Sequence, residues 1–129
     1  MNPIHLTLLF AGLCALLQCA LTALVIRRRV QTGVNLMDGG DDPLLRRIRA
    51  HGNFTETAPI ALILIALLEL RGLEPAGLWA LGVCLLLGRI LHAAGLLARG
   101  ARWSQLAGAV LTVAVLSLGG LLCIRMYWH

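Results

Sequence analysis

The sequence predicts an all-α integral membrane protein, a bundle of four transmembrane helices, from three observations. Of its 129 residues, 59% are hydrophobic and 13% are charged, and the mean hydropathy of +0.84 is too high for a soluble domain of this size. Two uncharged runs, 4–26 and 103–124, each exceed the roughly 20 residues with which a helix crosses about 30 Å of hydrocarbon. Two shorter apolar runs between them become long enough when a polar end is counted within each helix. We therefore expect a single domain, residues 1–129, with helices at about 4–29, 43–71, 75–99 and 103–127.

The connections between these helices carry helix start and stop signals. The first connection ends in Asp41 and Asp42, followed by Pro43. This order suits a helix N-terminus, because an aspartate can cap it and proline is favoured in the first turn. Gly72 then favours the end of the second helix, and Pro75 favours the start of the third.

Small residues are frequent in the third and fourth helices. Such residues let membrane helices approach closely and favour a tight bundle or an oligomer, although glycine and alanine are also simply common in membrane helices. Both interpretations are open for the following positions: Gly82, Gly88, Gly95, Ala107, Gly108 and Thr112.

The charge distribution predicts an orientation in the membrane. The net charge is +5, and all eleven basic residues are arginine. Most of them flank the first and third connections, so the positive-inside rule places these connections in the cytoplasm and both termini outside. Because these arginines border membrane spans, we expect membrane lipids or an anionic small molecule as partners, and no nucleic acid. The residues concerned are Arg27, Arg28, Arg29, Arg46, Arg47, Arg49, Arg99 and Arg102.

The four cysteines all fall within the predicted spans, and their spacing matches no common metal site. We expect them to serve as small apolar packing residues and predict no metal site. They are Cys14, Cys19, Cys84 and Cys123.

The second helix carries a polar face below the membrane surface. At 100° per residue, Asn53 lies at about 40° and Glu56 at about −20° from Arg49, so the three share one face. An isolated carboxylate at the depth of Glu56 would cost about 2.5 kcal/mol or more, so it needs a partner.

The third helix offers such a partner. Arg89 lies at a comparable depth, and His92 shares its face. We expect Glu56 and Arg89 to meet, with Arg49, Asn53 and His92 lining a polar pocket open to the cytoplasm. The simpler alternative is an ion pair that locks two helices together. In that case the flanking arginines extend to lipid phosphates: Arg46, Arg47 and Arg99.

The same residues carry a family resemblance. The segment "RAHGNFTETAP" resembles the second-helix motif of the MAPEG family, the membrane-associated proteins in eicosanoid and glutathione metabolism, which is close to Arg-x-His-x-Asn-x-x-Glu followed by proline. "GRILHAAG" resembles the third-helix motif, and "VIRRR" with the later "DGG" resembles bacterial members. The similarity covers nearly the whole chain in the right order. Here the second-helix motif comprises Arg49, His51, Asn53, Glu56 and Pro59.

The resemblance implies a homotrimer that binds glutathione between subunits near the cytoplasmic face. It implies a glutathione transferase or peroxidase, in which glutathione is the co-substrate and attacks a lipophilic electrophile or hydroperoxide from the bilayer. By the same resemblance, Arg89 supports Glu56. The residues that the resemblance makes ligand contacts are Arg27, Arg49, Asn53, Glu56 and His92.

The chain departs from the family pattern at three positions. Thr57 and Leu96 stand where well-studied members have tyrosines, and Gln105 stands where they have the arginine credited with stabilising the thiolate. The resemblance leaves Arg102, one turn before Gln105, as the candidate catalytic arginine. If Arg102 does not fill that role, the protein could bind glutathione without efficient chemistry.

Two other functions remain compatible with the sequence. One is a non-catalytic membrane protein that binds glutathione or lipid. The other is a small four-span exporter that exchanges protons at Glu56 for a lipophilic cation. Arg89 argues against the exporter, because an adjacent arginine would keep Glu56 ionised and repel cations. For a bacterial member, we expect the inner membrane as the location.

Overall fold

Four long α-helices account for nearly all of the chain. The computed structural model describes residues 4–98 and 101–128, and each helix is long and apolar enough to cross a membrane. The predicted helices are confirmed, with boundaries within three residues of those expected. The helices are α1 His5–Thr32, α2 Asp42–Leu70, α3 Pro75–Leu97 and α4 Arg102–Tyr127.

The helices run alternately up and down, so the bundle has two distinct ends. We call the end that contains the 33–41 connection and the α3–α4 connection the basic end. Here α2 packs beside α3, and Arg46 Nη1 donates to the Leu96 carbonyl oxygen at 3.4 Å. Among the described residues, α2 contacts each of the other three helices, whereas α1 and α4 do not pack against each other.

At the basic end, Asp41 caps α2 as expected. Its Oδ1 accepts a hydrogen bond from the Leu44 backbone N–H at 2.7 Å, and Pro43 lies in the first turn. Arg28 of α1 donates two hydrogen bonds to the same carboxylate, from Nε at 3.0 Å and from Nη2 at 2.7 Å. The Arg28 guanidinium beside Asp41 holds the pKa of that carboxyl below its ordinary value. One carboxylate therefore ties the end of α1 to the start of α2.

At the opposite end, Glu69 of α2 caps the N-terminus of α1. Ile4 gives α1 no side-chain cap. Instead, the Glu69 carboxylate accepts from the backbone N–H groups of Leu6 at 2.9 Å and Thr7 at 2.7 Å, and from the Thr7 hydroxyl at 2.6 Å. These bonds satisfy N–H groups that have no partner within the helix and place a negative charge at its positive end.

Glycines let α3 pack closely against α4 and α1. A Cβ atom at Gly95 would lie 2.7 Å from the Gln105 Cα, and one at Gly108 would lie 2.8 Å from the His92 Cα. A Cβ atom at Gly82 of α3 would collide with the ring of Phe10 in α1. The close-approach interpretation of the small residues is thus confirmed at these positions, whereas Ala107 is exposed.

The buried core runs along the axis of the bundle and consists of apolar side chains from all four helices. Large apolar residues also cover the outside, which is the arrangement expected of a protein surrounded by lipid. The largest side chains that are fully buried are Phe10, Leu44, Ile65, Leu68 and Leu85.

The glycine contacts predict that the same substitution destabilises the bundle at one position of α4 and not at another. Gly108→Ala inserts a methyl group against the backbone of His92, which cannot move aside cheaply, so we expect destabilisation of about 1–3 kcal/mol. Gly120→Ala is the matched control, because a Cβ atom there meets nothing within 4 Å. Thermal unfolding of detergent-purified variants measures both. A Gly108→Ala protein as stable as Gly120→Ala would contradict this packing.

The Asp41 contacts predict a dependence of stability on pH. Because the folded-state pKa of Asp41 is lowered, its ionised form stabilises the fold above the unfolded-state value of about 3.9, and this contribution is lost as pH falls through the folded-state pKa. Asp41→Asn keeps an oxygen that can cap Leu44 and removes the charge. We expect a thermal midpoint below that of the wild type at pH 7, with the difference shrinking as the pH falls below about 4. Asp38→Asn in the same connection serves as the control.

Candidate functional site

Arg89 lies at the centre of the polar residues in the bundle. Its side chain is buried between α2 and α4, with 3% of the residue exposed. Nη1 donates to Asn53 Oδ1 at 2.5 Å and to Thr57 Oγ1 at 2.9 Å, both on α2. Nη2 donates to the hydroxyl of Thr112 and to the Gly108 carbonyl at 3.4 Å, both on α4. One guanidinium therefore joins three helices.

The predicted pair between Glu56 and Arg89 is wrong. Arg89 forms no ion pair among the described residues, and its partners are the neutral oxygens just described. Asn53 and Thr57 are four residues apart, so they lie on the same side of α2 and turn towards α3. Glu56 is exposed on the outside of the subunit and has no partner within 4–98 and 101–128. Similar depth and opposite charge were not enough to pair two residues whose helix faces point apart.

The Arg89 guanidinium carries a positive charge that no carboxylate within 4–98 and 101–128 neutralises. Its Nε is buried and has no hydrogen-bond partner among the described residues. A buried cation with only neutral partners is costly, and its field favours the binding of an anion nearby.

Arg89 also orients the amide of Asn53. Because Oδ1 accepts from the guanidinium, the amide NH2 group is directed to the other side of the carboxamide and remains available as a donor. Asn53 is only partly buried. This arrangement brings two predicted site residues together and gives Asn53 a defined donor at the subunit surface.

A cavity of about 510 Å³ opens between α3 and α4 near the basic end. His92 belongs to its wall, and its Nδ1 lies 3.1 Å from the backbone carbonyl oxygen of Gln105. The cavity has cationic, polar and apolar lining, which suits a ligand that is partly charged. Its lining residues are His92, Arg102, Trp103, Gln105, Leu106 and Ala109.

The remaining predicted site residues lie in separate places on the subunit. Arg102 is exposed and contributes to the cavity with His92. Arg49 and Glu56 are exposed on α2, and Arg27 is exposed on α1, but none of these three lines the cavity. Arg99, expected as a flanking arginine that extends to lipid phosphate, lies outside the described residues. The part of the chain that the structure describes therefore holds two groups of site residues that do not meet.

Sequence reasoning missed the neutral residues of this site. Thr57 had been noted only as a departure from a tyrosine, and Thr112 only as a small residue, yet both accept hydrogen bonds from Arg89. Trp103 lines the cavity and was not singled out. Thr57 follows Asn53 by four residues, and this spacing of two oxygen acceptors on one helix face was the available signal.

Fold and site together define a four-helix membrane protein with an intramembrane arginine and a polar cavity near one end. A model of the MAPEG family matches residues 7–124. The chain is also 39% identical over 97 residues to "Inner membrane protein YecN" of Escherichia coli strain K12, covering 75% of this chain and 74% of the relative. The protein of the same name from Escherichia coli O6:H1 has the same identity and coverage. The chain belongs to the MAPEG family.

The geometry predicts that lysine cannot replace Arg89. An ammonium group at the end of a flexible chain cannot reach acceptors on α2 and α4 at the same time. We expect Arg89→Lys to cost about 1–3 kcal/mol for each buried partner left unbonded, measured as a fall in the thermal midpoint. Arg125→Lys is the control, because it makes the same substitution at an exposed position of α4. Equal midpoints for the two variants would show that Arg89 does not join the helices.

Proposed function

We propose that this protein is a membrane glutathione transferase or peroxidase, with glutathione bound between the subunits of a homotrimer. The observation that carries the proposal is the unpartnered carboxylate of Glu56 on the outside of an apolar helix. Membership of the MAPEG family supports it.

The position of Glu56 supports a partner from outside the subunit. At 1.5 Å per residue, α2 with its 29 residues is about 43 Å long and exceeds the hydrocarbon core by about 13 Å. Glu56 lies midway along this helix, so it falls within the membrane. A carboxylate there, exposed to lipid, would cost about 2.5 kcal/mol or more. A neighbouring subunit and a ligand with a cationic group would both remove this cost.

The polar groups match the chemistry of glutathione. At neutral pH this tripeptide has two carboxylates, one ammonium group, two amides and a thiol. Arg49 and Arg102 suit its carboxylates, Glu56 suits its ammonium group, and the free NH2 of Asn53 suits a carbonyl or carboxylate oxygen. The volume of the α3–α4 cavity lies within the range of about 300–1,000 Å³ that is typical of small-molecule sites.

A trimer would unite the two separated groups of residues. In the proposed arrangement, the outer face of α2 in one subunit covers the α3–α4 cavity of its neighbour, and Arg27 of α1 adds a further cation. The arginine-rich basic end faces the cytoplasm, from which glutathione enters. The name of the relative, an inner membrane protein, supports the same membrane for this chain.

The chemistry would use an arginine to favour the thiolate. A free thiol has a pKa of about 8.5, and a nearby guanidinium in a site of low dielectric lowers it and generates the nucleophile. Arg102, at the mouth of the cavity, is the residue proposed for this role. The lipophilic electrophile or hydroperoxide reaches the site through the bilayer, beside the exposed apolar side chains of α4.

One observation favours a second candidate, the proton-coupled exporter. Arg89 does not contact Glu56, so the main argument against a proton-exchanging carboxylate is weaker than the sequence suggested. Titration with glutathione and with a lipophilic cation separates the two, because the exporter would bind the cation in competition with protons.

The proposed site predicts that two substitutions on α2 weaken glutathione binding. Arg49→Ala and Glu56→Gln each remove a charged hydrogen-bonding group worth about 1.5–3 kcal/mol, so we expect the Kd to rise about 10- to 100-fold. Isothermal titration of the detergent-purified protein measures the Kd, and turnover of a chromogenic aryl halide measures the activity. Arg125→Ala and Glu74→Gln, exposed and distant from the cavity, are matched controls. Unchanged affinity in both α2 variants would refute the site.

A further inference from the structure

The contact between His92 and Gln105 settles the tautomer of the imidazole. A backbone carbonyl oxygen can only accept a hydrogen bond, so Nδ1, 3.1 Å from the Gln105 oxygen, must carry the proton. In the neutral ring, Nε2 then has a free lone pair and is the basic nitrogen. The hydrogen bond from His92 to the main chain of α4 thus leaves Nε2 as the proton acceptor.

Nε2 of His92 keeps some accessible surface, although only 8% of the residue is exposed. The side chain lines the cavity wall, and the unpartnered buried nitrogens and oxygens of the described residues do not include Nε2. No other hydrogen bond to the ring is formed within 4–98 and 101–128. Nε2 is therefore the ring nitrogen left to accept a hydrogen bond from a ligand in the cavity.

Two arginines accompany His92: one precedes it on α3, and one lines the same cavity. Arg89 lies three residues earlier on the same helix and is not neutralised by a carboxylate, and Arg102 lines the cavity from α4. Both positive charges favour a thiolate beside the imidazole. The part of the cavity wall that the structure describes contains no Asp or Glu.

Among the described residues that line the cavity, His92 is the one suited to accept a proton at neutral pH. Arginine stays protonated, tryptophan only donates, and the amide of Gln105 is not basic. Leu96 and Gln105 stand where the resemblance would place a tyrosine and an arginine, and neither of these side chains is a base. His92 is therefore the residue able to accept the proton, and its hydrogen bond to Gln105 already leaves Nε2 as the acceptor.

We propose that His92 is the general base that removes the thiol proton of glutathione, a role that rests on the proposed function. The S–H bond breaks as the proton moves to Nε2, and the thiolate forms beside Arg102. With an aryl halide, the sulfur forms a bond to the ring carbon and the halide leaves with the bonding electrons. The imidazolium then releases its proton to water at the open end of the cavity, so one proton and one halide ion are produced for each conjugate. Gln105 acts as a positioning residue through its carbonyl oxygen.

The test compares His92→Asn with the wild type. The Asn side-chain amide can keep the hydrogen bond to the Gln105 carbonyl, but it cannot accept a thiol proton. We expect the variant to keep its thermal midpoint and to bind glutathione with a Kd within about 10-fold of the wild type. We also expect it to lose about 10²- to 10⁴-fold in kcat, the usual range for general-base catalysis.

A readout independent of turnover is the ultraviolet absorbance of the thiolate on glutathione binding at pH 7. S-methylglutathione, which has no thiol, provides the blank. The wild type should show the thiolate band and His92→Asn should not. His92→Ala, which leaves space for an added base, should recover the band and part of kcat when imidazole is supplied.

Two results would overturn the role of His92. One is a His92→Asn protein with unchanged thiolate absorbance and kcat, and the other is a wild type that binds glutathione without forming the band. Absence of glutathione binding by the wild type is a different failure, since it removes the proposed function and this role together.

Discussion

The hydrogen bonds of Arg89 are the interaction on which the rest of the site depends. A guanidinium buried within a membrane protein is expensive, and here the cost is offset by oxygen acceptors on both neighbouring helices. These bonds fix α2 and α4 relative to α3, and they orient Asn53 towards the outside. They leave the positive charge without a carboxylate of its own, so the charge is available to act on a ligand.

Close backbone packing makes this arrangement possible. The glycines at positions 88, 95 and 108 bring α3 and α4 near enough for the guanidinium to reach Thr112 and for the His92 ring to reach the Gln105 carbonyl. Bulkier residues would separate the helices and break both contacts. In this bundle the small residues therefore serve the site as well as the packing, and a mutation that appears purely structural would also move the polar groups.

The charged residues of the candidate site lie in two separate places, and the proposed function rests on this separation. Among the described residues, the outer face of α2 has a carboxylate and an arginine without partners, and the α3–α4 cavity has a histidine and an arginine without a carboxylate. The outer face of α2 supplies the carboxylate that the cavity lacks, and the cavity supplies a histidine. A homotrimer with glutathione at its subunit contacts is the proposal that accounts for both, and it is consistent with a chain that belongs to the MAPEG family.

The sequence by itself determined the four spans and, within three residues, their boundaries, because hydropathy and helical periodicity are local properties. The motifs also pointed to the correct family. Only the tertiary structure could decide which partner Arg89 finds, because this depends on how far each helix is rotated about its axis and shifted along it. That rotation places Thr57 against Arg89 and turns Glu56 outwards. It also brings the Gln105 carbonyl to His92. Because every residue has a main-chain oxygen, the identity of residue 105 could not predict this contact.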